Sequence, residues 1–578
     1  MKILRLSILA CIMVLASCED VLENEFKNPD KFGNVEGAIP GMFTAMLNQG
    51  TFYIKDYGEW WNQLTNGTGI VAYSQISERY VTDRYTWFKE YHDVTNGNGF
   101  DDTHVRNWFE NFYVKLKNWA FIRDNVALLE GEQQVNAKVY YDLATIMKDW
   151  AALRNVDLFN SIPYFEAFRG SEGFFTAKYD DPKLIYRNIL DELKEISERL
   201  PAEHAAMSSA AKAELTNQDI ALKGNVEQWI QYANAIRLRA AVRLAGVDRD
   251  FAVAHITDII AKGSLPTVDL QWQIPVVDPP NAGGLWMRGL YEASYATFIP
   301  KVMLNAMMGK KNNKVDSVYE VGVDDPRLPV IAMPTKYKDY RPVTMDADWQ
   351  KAGYLATEKY YGTQTATPLS SFLEQNSKSM YSHVTFMYNK FPAYMMSLAE
   401  VDLLLAEAVL KGLATTGKSA GEHMYDAVIH STDYWYYINS LSTYADNVAD
   451  AGFKNLLKPA KPDAASIAAY ANTIKTNFEA AVDEEAKMEI LMLQKYVHIN
   501  MVEPYELFTD LRRTRHPKLE PFKLGNIVMT PQPERLRYPT SEFETNTENY
   551  LEVAGQDNFT TPVFWVPANK INESYYQQ

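Results

Sequence analysis

The stretch LAEVDLLLAEAVLKGLATTGKSAGEHMYDAVI, residues Leu398 to Ile429, predicts two helices joined by a short turn. Its first part is rich in Ala, Leu and Glu, which favour helices, and no turn residue interrupts it before Gly412. Gly412 is therefore predicted to cap the first helix, and ATTGKSA to lead into the second. Such a pair suggests a mainly α fold built from stacked helical hairpins.

The same stretch contains GLATTGKS, Gly412 to Ser419, which satisfies the phosphate-loop pattern G-x-x-x-x-G-K-[ST]. A phosphate loop follows a β-strand and opens a helix, so that backbone N–H groups converge on the phosphates. Here the preceding residues, Pro392 to Leu410, read as a helix. We therefore predict that GLATTGKS is a helix cap and a turn, with no role in nucleotide binding.

The N-terminus, MKILRLSILACIMVLASC, has the layout of a secretory signal. Lys2 and Arg5 precede an apolar run that is roughly half the ~20 residues of a membrane-spanning helix. Its end, LASC, is similar to the bacterial lipobox, in which the chain is cut before the cysteine and the thiol is acylated. This predicts a signal peptide over 1–17, lipidation at Cys18 and a polar tether over 18–37. An ordinary signal peptide with a chance cysteine is the alternative.

Composition narrows the function classes. The 578 residues carry a formal net charge of −16, which argues against nucleic acid and anionic lipid as partners. Both cysteines lie at the N-terminus, at Cys11 and Cys18, so the mature chain can form no internal disulfide. The nine histidines show no metal-binding spacing such as H-E-x-x-H. We expect no cofactor, no metal and no catalysis by cysteine.

Helical patterns alternate with long irregular segments. Asp181 and Pro182 predict the start of one helix, and Trp229, Ala233, Ile236, Ala240 and Leu244 predict a one-sided apolar stripe on another. Pro504 is expected to bend a helix over 484–513. The predicted helices are 104–129, 136–158, 181–200, 225–246, 392–410 and 484–513. This places a helical scaffold at about 104–262 and 392–513, and loop-rich regions at about 50–100 and 263–390.

Eight segments, in order along the chain, resemble the SusD/RagB family of nutrient-binding outer-membrane lipoproteins of Bacteroidetes. Each alone is a plausible piece of helix or turn, and their order carries the resemblance. The chain departs from the family pattern at Arg515, where Gly often follows RRT, and in an insert around 440–477. The segments are the lipobox at Cys18, SIPYFEAF (161–168), AKYDDPKLIYRNILDELKEI (177–196), WIQYANAIRLRAAVRLA (229–245), DDPRLP (324–329), 398–429, LQKYVHINMVEPYELFTDLRRTRHP (493–517) and PERLRYPTSEFETNTENY (533–550).

The resemblance implies a single domain over 38–578, with a tetratricopeptide-like helical-hairpin scaffold and irregular segments that carry the ligand site. It further implies a lipid-anchored protein at the cell surface of the outer membrane. Such proteins bind an oligosaccharide, or in some branches a peptide, and pass it to a SusC-like TonB-dependent β-barrel transporter. They are binding proteins and not enzymes.

Aromatic residues interleaved with polar ones provide candidates for a sugar-binding platform. Flat rings stack on the apolar face of a pyranose, while amide, carboxylate and guanidinium groups bind its hydroxyls. The alternative for each ring is that it anchors a loop to the helices. A third aromatic cluster is STDYWYYINS, residues 431–440. The candidate ligand-binding residues are Trp60, Trp61, Tyr73, Tyr80, Arg84, Trp87, Trp272, Trp286, Arg288 and Tyr291.

Catalysis is the remaining alternative, because glycoside hydrolysis needs two carboxyl groups at a fixed separation. The adjacent acid pairs are Asp101 with Asp102, Asp180 with Asp181, and Asp324 with Asp325. Asp181 and Asp325 each precede Pro, which is typical of turns. The first pair also fits a calcium loop as an alternative. The hypotheses are thus glycan capture, peptide capture and, least favoured, a surface glycoside hydrolase.

Overall fold

The computed structural model describes residues 35–48, 102–272, 299–308, 318–342, 379–386, 392–443, 445–446, 451–500, 502–520, 523–524, 527–528, 534–558 and 560–577. Within these residues the fold is mainly α-helical, as predicted. The helices are α1 Val35–Asn48, α2 Asp102–Lys115, α3 Lys117–Val126, α4 Gly131–Phe159, α5 Pro182–Ala206, α6 Ser209–Gln218, α7 Val226–Leu244, α8 Arg249–Lys262, α9 Lys301–Met308, α10 Leu328–Ile331, α11 His383–Phe386, α12 Leu398–Leu410, α13 Ala420–Leu441, α14 Ala451–Leu457, α15 Ala464–Ala480, α16 Glu484–Ile499, α17 Pro504–Thr514, α18 Thr540–Thr545 and α19 Thr547–Val553.

Short antiparallel strand pairs connect segments that lie outside the helices. In the described part of the chain each sheet has two strands, paired β1–β2, β3–β6, β4–β5 and β7–β8. The strands are β1 Ile162–Pro163, β2 Tyr179–Asp180, β3 Leu270–Trp272, β4 Ala332–Met333, β5 Met380–Tyr381, β6 Ala393–Met396, β7 Lys523–Leu524 and β8 Ile527–Val528.

Helices that follow one another in the chain pack together as hairpins. These pairs are α3 with α4, α4 with α5, α7 with α8, α12 with α13, and α15 with α16. Further packing of α5 on α7 and of α12 on α16 joins the hairpins. A large apolar cluster fills the space between the helices of both halves, and a smaller one lies among α12, α13, α15 and α16. The hairpin arrangement agrees with the predicted scaffold.

The α12–α13 hairpin confirms that GLATTGKS is a helix cap and a turn. Gly412 has a φ of +61°, and the N–H groups of Gly412 and Leu413 donate to the carbonyls of Val409 and Ala408. This pattern closes a helix C-terminus, and it needs a left-handed residue at the glycine position. Ser419 then caps α13 in a capping box with Glu422. The octapeptide therefore joins the end of one helix to the start of the next.

The start of α12 differs from the prediction. Ala393 to Met396, expected to be helical, form strand β6, and the helix begins only at Leu398 after the N-cap Ser397. Strand β6 pairs with Leu270–Trp272, more than 120 residues away in the chain. Local propensity favours a helix in this apolar segment, but a distant strand supplies the hydrogen bonds that decide its structure.

Every residue of helix α7 from Gln231 to Leu244 is buried, so the prediction of a one-sided stripe is incomplete. The five predicted apolar residues are all buried, but Arg237, Arg239 and Arg243 are buried as well. Arg243 contacts Asp157 of α4, and its Nη2 donates to Oε2 of Glu506 over 2.5 Å. The polar face of α7 is thus buried because carboxylates from neighbouring helices pair with its guanidinium groups.

The other helix limits follow the prediction with local corrections. Asp181 caps α5 by accepting a hydrogen bond from the backbone N–H of Lys183, with Pro182 in the first turn, as predicted. The helix predicted over 104–129 is interrupted at Leu116, between α2 and α3. Pro504 begins α17 and does not bend a continuous helix, because α16 ends at Ile499. The insert around 440–477 contributes most of α15.

Arg515, where the chain departs from the family pattern, has a φ of +67° at the C-terminus of α17. This left-handed conformation explains why glycine suits the position. The side chain is fully buried, and its guanidinium donates to Oε1 of Glu534 over 2.7 Å and to the carbonyl of Lys570 over 2.8 Å. The buried ion pair offsets the cost of the left-handed backbone.

Candidate functional site

Most of the predicted ligand-binding residues lie outside the described part of the chain. These are Trp60, Trp61, Tyr73, Tyr80, Arg84, Trp87, Trp286, Arg288 and Tyr291, and Cys18 lies outside it as well. For Trp272 the backbone is described, and it lies in β3 opposite Ala393. The β3–β6 pair therefore brings the beginning of the second loop-rich region next to the start of α12. The platform itself remains a prediction.

The third aromatic cluster belongs mainly to the helical core. Tyr434, Trp435 and Tyr436 on α13 are buried, and the indole Nε1 of Trp435 donates to the carbonyl of His498 over 3.0 Å. Only Tyr437 of this group of four rings is exposed. The suggestion of a binding surface here is wrong for the three buried rings, because their helix packs on α12, α15 and α16.

The acid pair at Asp180 and Asp181 has structural partners. Oδ2 of Asp180 accepts hydrogen bonds from the backbone N–H groups of Tyr164 and Phe165, each over 2.9 Å. Asp181 caps α5. These two carboxylates therefore fix the connection between β2 and α5, and their hydrogen bonds do not place them as an acid and a base around one bond.

The pair at Asp324 and Asp325 is fully buried and also structural. Oδ1 and Oδ2 of Asp325 accept from Nε and Nη2 of Arg327 over 2.8 and 2.5 Å, and Oδ2 of Asp324 accepts from the backbone N–H of Glu320 over 2.7 Å. The pair Asp101 and Asp102 lies at the edge of the described chain, and neither side chain is described. Neither described pair therefore provides the geometry of a glycosidase.

A cleft of about 780 Å³ opens between α1, the N-terminal part of α4 and α6. Its lining combines small apolar groups with amides and one carboxylate, a mixture that can bind hydroxyl and amide groups of a ligand. The lining residues are Ile39, Pro40, Gln133, Asn136, Ala137, Tyr140, Ser208, Ala210, Ala211, Ala213, Glu214, Asn217 and Gln218.

Tyr140 is the distinctive residue of this cleft. It is 2% exposed, and its hydroxyl makes no hydrogen bond to the described residues. Burial raises the pKa of this phenol, and the carboxylates of Glu214 and Asp219 raise it further, so the hydroxyl keeps its proton and remains a donor. The ring packs edge-on against Phe43 with centroids 5.7 Å apart, so it contributes to the core. The cleft therefore offers hydrogen bonds, and its tyrosine ring is not a stacking platform.

The sequence alone does not predict this cleft. Its walls come from three helices that are separated by up to about 180 residues, and the amides at Gln133, Asn136, Asn217 and Gln218 form no recognisable motif. The sequence feature that could have indicated a polar cleft is a pair of amide-rich helix ends, GEQQVNA and LTNQ. Only the packing of α1 on α4 and of α6 on α1 brings these ends together.

The hairpin scaffold places the chain among all-α proteins built from packed helix pairs. The chain belongs to the SusD-like family, described as SusD and RagB outer membrane lipoproteins, because the family profile matches residues 23–566. This confirms the resemblance found in the sequence. A search of curated protein sequences finds no match. Among the described residues, no helix is long and apolar enough to cross a membrane.

Several solved structures share the fold. A SusD homolog from Parabacteroides distasonis has a TM-score of 0.64 and 17% identity, covering 94% of this chain and 100% of its own. A SusD homolog from Bacteroides uniformis has a TM-score of 0.62 and 20% identity, covering 93% and 100%. A chitin-binding SusD homolog from Flavobacterium johnsoniae has a TM-score of 0.59 and 20% identity, also covering 93% and 100%. At these identities the similarity shows the fold.

Proposed function

We propose that the chain is a cell-surface lipoprotein that captures an oligosaccharide and delivers it to a TonB-dependent β-barrel transporter. The observation that carries the proposal is the family match over residues 23–566, which includes both the helical scaffold and the two loop-rich regions. The Flavobacterium johnsoniae structure is described as chitin-binding, and a second similar structure is described as a chitin-binding protein. Both descriptions favour a glycan as the ligand class.

The proposed ligand site is the aromatic platform of the loop-rich regions. Tryptophans such as Trp60, Trp87 and Trp286 would stack on sugar rings, while Arg84 and Arg288 would donate hydrogen bonds to hydroxyl groups. A scaffold of packed hairpins suits this role, because rigid elements hold binding loops in place. Strand pair β3–β6 supports the proposal, since it joins the second loop-rich region directly to the scaffold.

The proposal describes binding without catalysis. Both described acid pairs serve turns and helix caps, and the buried carboxylates of α12 and α17 pair with arginines and a lysine. A hydrolase would instead need two carboxyl groups that face one bond across about 5–9 Å. These contacts support a carrier over a surface glycoside hydrolase.

Delivery requires a partner. A protein anchored through acylated Cys18 holds its ligand outside the membrane, and movement across the bilayer then needs a separate channel. A TonB-dependent barrel is the partner that the family resemblance implies. Peptide capture is the second candidate, because the family includes RagB and because the amide-lined cleft at Tyr140 can also bind peptide groups.

Extraction of the outer membrane in mild detergent tests this proposal. The tagged full-length protein should be recovered from the membrane fraction together with a β-barrel of the TonB-dependent class. The Cys18→Ala variant should leave the membrane fraction, because acylation is its anchor. Recovery of the wild-type protein without any barrel, or unchanged membrane attachment of Cys18→Ala, would contradict the delivery role or the lipid anchor respectively.

A further inference from the structure

A cluster of three side chains lies where α12 and α13 face each other, directly beside the GLATTGKS turn. Asp402 comes from α12, and His423 and Asp426, three residues apart on one face of α13, come from the other helix. One ligand atom from each residue lies within 4.8 Å of the other two. An imidazole and two carboxylates are ligands that divalent transition metals share.

His423 has one ring nitrogen that no hydrogen bond satisfies. It is 4% exposed, and its Nε2 lies 2.6 Å from the hydroxyl of Thr416. That hydroxyl donates its own proton to the carbonyl of Lys418, so it accepts one from Nε2 of the histidine. Nδ1 is then the nitrogen that carries the lone pair in the neutral ring, and it makes no hydrogen bond to the described residues.

Nδ1 of His423 points at the carboxylate of Asp402, 3.6 Å from Oδ1. This separation is longer than a hydrogen bond. Two ligands bound to one tetrahedral zinc at about 2.1 Å lie roughly 3.4 Å apart. The distance between nitrogen and oxygen therefore matches a pair of atoms that share one metal ion better than it matches a pair that shares a proton.

Each of the three ligands is also held from behind by a residue that is not a ligand. Thr416 holds Nε2 of His423, His430 bonds Oδ2 of Asp402 through Nδ1, and Lys418 donates to Oδ2 of Asp426. All three distances are 2.6 Å. Outer partners of this kind orient metal ligands and fix the histidine tautomer.

Solvent can reach the cluster. Asp426 exposes 24% of its side chain and His430 exposes 37%, so an ion can reach the cluster from solvent.

We propose that Asp402, His423 and Asp426 form a zinc-type divalent metal site, completed by solvent, that joins α12 to α13 at the GLATTGKS turn. The sequence does not predict this site, because the three ligands come from two helices and do not form a single-helix motif such as H-E-x-x-H. A second cluster contains Glu485, His516 and Glu573. Its histidine has no ring nitrogen left without a hydrogen bond. Both ring nitrogens of His516 already bond glutamates, at 2.6 and 2.8 Å, and Lys570 bridges Glu485 and Glu573.

Calorimetric titration of the EDTA-stripped full-length protein with Zn²⁺ tests the proposal. The wild type should bind one Zn²⁺ per chain, and Co²⁺ in its place should give the visible absorption of a site with low coordination number. His423→Gln should weaken Zn²⁺ binding a hundredfold or more, because loss of even an outer partner costs about 10–100-fold.

Two further variants make the test decisive. His204→Gln, at the end of α5, removes a histidine far from the cluster in sequence and should bind Zn²⁺ like the wild type. Asp426→Asn changes a partly exposed side chain and should lose binding even if His423→Gln does not fold. Absence of saturable Zn²⁺ binding to the wild type would overturn the proposal, as would equal affinity in the wild type and Asp426→Asn.

Discussion

Arg239 and Glu400 form a two-pronged ion pair in the protein interior, with Nε and Nη2 of the arginine donating to Oε1 and Oε2 of the glutamate over 2.9 Å each. The two residues lie on α7 and α12 and are 161 positions apart. Burial alone would lower the pKa of Arg239, but Glu400 and Glu506 outweigh burial and raise it. The pair therefore connects the two halves of the helical scaffold.

Loss of one partner from this pair should be costly. Arg239→Met leaves the carboxylate of Glu400 buried without its guanidinium, so we expect the free energy of unfolding to fall by about 3–5 kcal/mol. The matched control is Lys194→Met, which removes a partly exposed pair with Glu198 and should change stability by less than about 0.5 kcal/mol. Urea unfolding measures both. Equal losses in the two variants would show that the buried pair does not stabilise the scaffold.

Arg515 provides a test in which two effects have opposite signs. Arg515→Gly relieves a left-handed backbone that costs about 1–2 kcal/mol, but it removes the buried partner of Glu534, worth about 3–5 kcal/mol. We therefore expect a net loss of roughly 2 kcal/mol in urea unfolding. Adding Glu534→Gln should recover part of that loss, because the buried carboxylate that has lost its guanidinium becomes a neutral amide. A more stable Arg515→Gly protein would mean that backbone strain dominates.

Two buried tyrosines should respond differently to the same change. The hydroxyl of Tyr186 bonds the buried carboxylate of Asp157, so Tyr186→Phe should cost about 1.5–3 kcal/mol. The hydroxyl of Tyr140 makes no such bond, so Tyr140→Phe should leave stability unchanged or slightly raised. Thermal and urea unfolding of both variants decide the comparison. Destabilisation of Tyr140→Phe comparable with that of Tyr186→Phe would indicate a hydrogen bond at the cleft.

The cap at Ser419 should matter more for folding than the lysine next to it. Ser419→Ala removes the capping box of α13 and should cost about 1 kcal/mol. Lys418→Ala removes an exposed pair with Asp426 and should cost less than about 0.5 kcal/mol. Neither change should reveal ATP binding in calorimetry, because GLATTGKS is a turn. Micromolar ATP affinity that Lys418→Ala abolishes would restore the phosphate-loop interpretation.

The sequence predicted those parts of the fold that depend on local chemistry. Asp181 with Pro182 marked the start of α5, and Gly412 marked the end of α12, because caps and turns depend on neighbouring residues. Strand β6 was missed because its partner, β3, lies far away in the chain. The buried arginines of α7 were missed for the same reason, since their carboxylate partners come from other helices.

The candidate sites also depend on contacts between residues that are distant in the chain. Tyr434, Trp435 and Tyr436 are consecutive in α13 and all buried, because this helix packs on several others. A one-sided helical period does not predict the burial of three consecutive rings. The cleft at Tyr140 and the cluster at His423 each combine helices, so no single motif announces them. The eight segments that resemble the family occur in the family's order along the chain, and this order, more than any one motif, indicated the class of protein.

Calorimetry with a panel of oligosaccharides, chitin fragments among them, tests glycan capture most directly. Burying even ~60 Å² of apolar surface contributes roughly 1.5 kcal/mol, or about tenfold in affinity. We predict saturable binding of at least one glycan, weakened about tenfold or more by Trp60→Ala, Trp87→Ala or Trp286→Ala. Phe175→Ala, which changes a ring that is 86% exposed, is the matched control and should bind normally. Binding of peptides with no binding of any oligosaccharide, or wild-type affinity in all three tryptophan variants, would contradict the account.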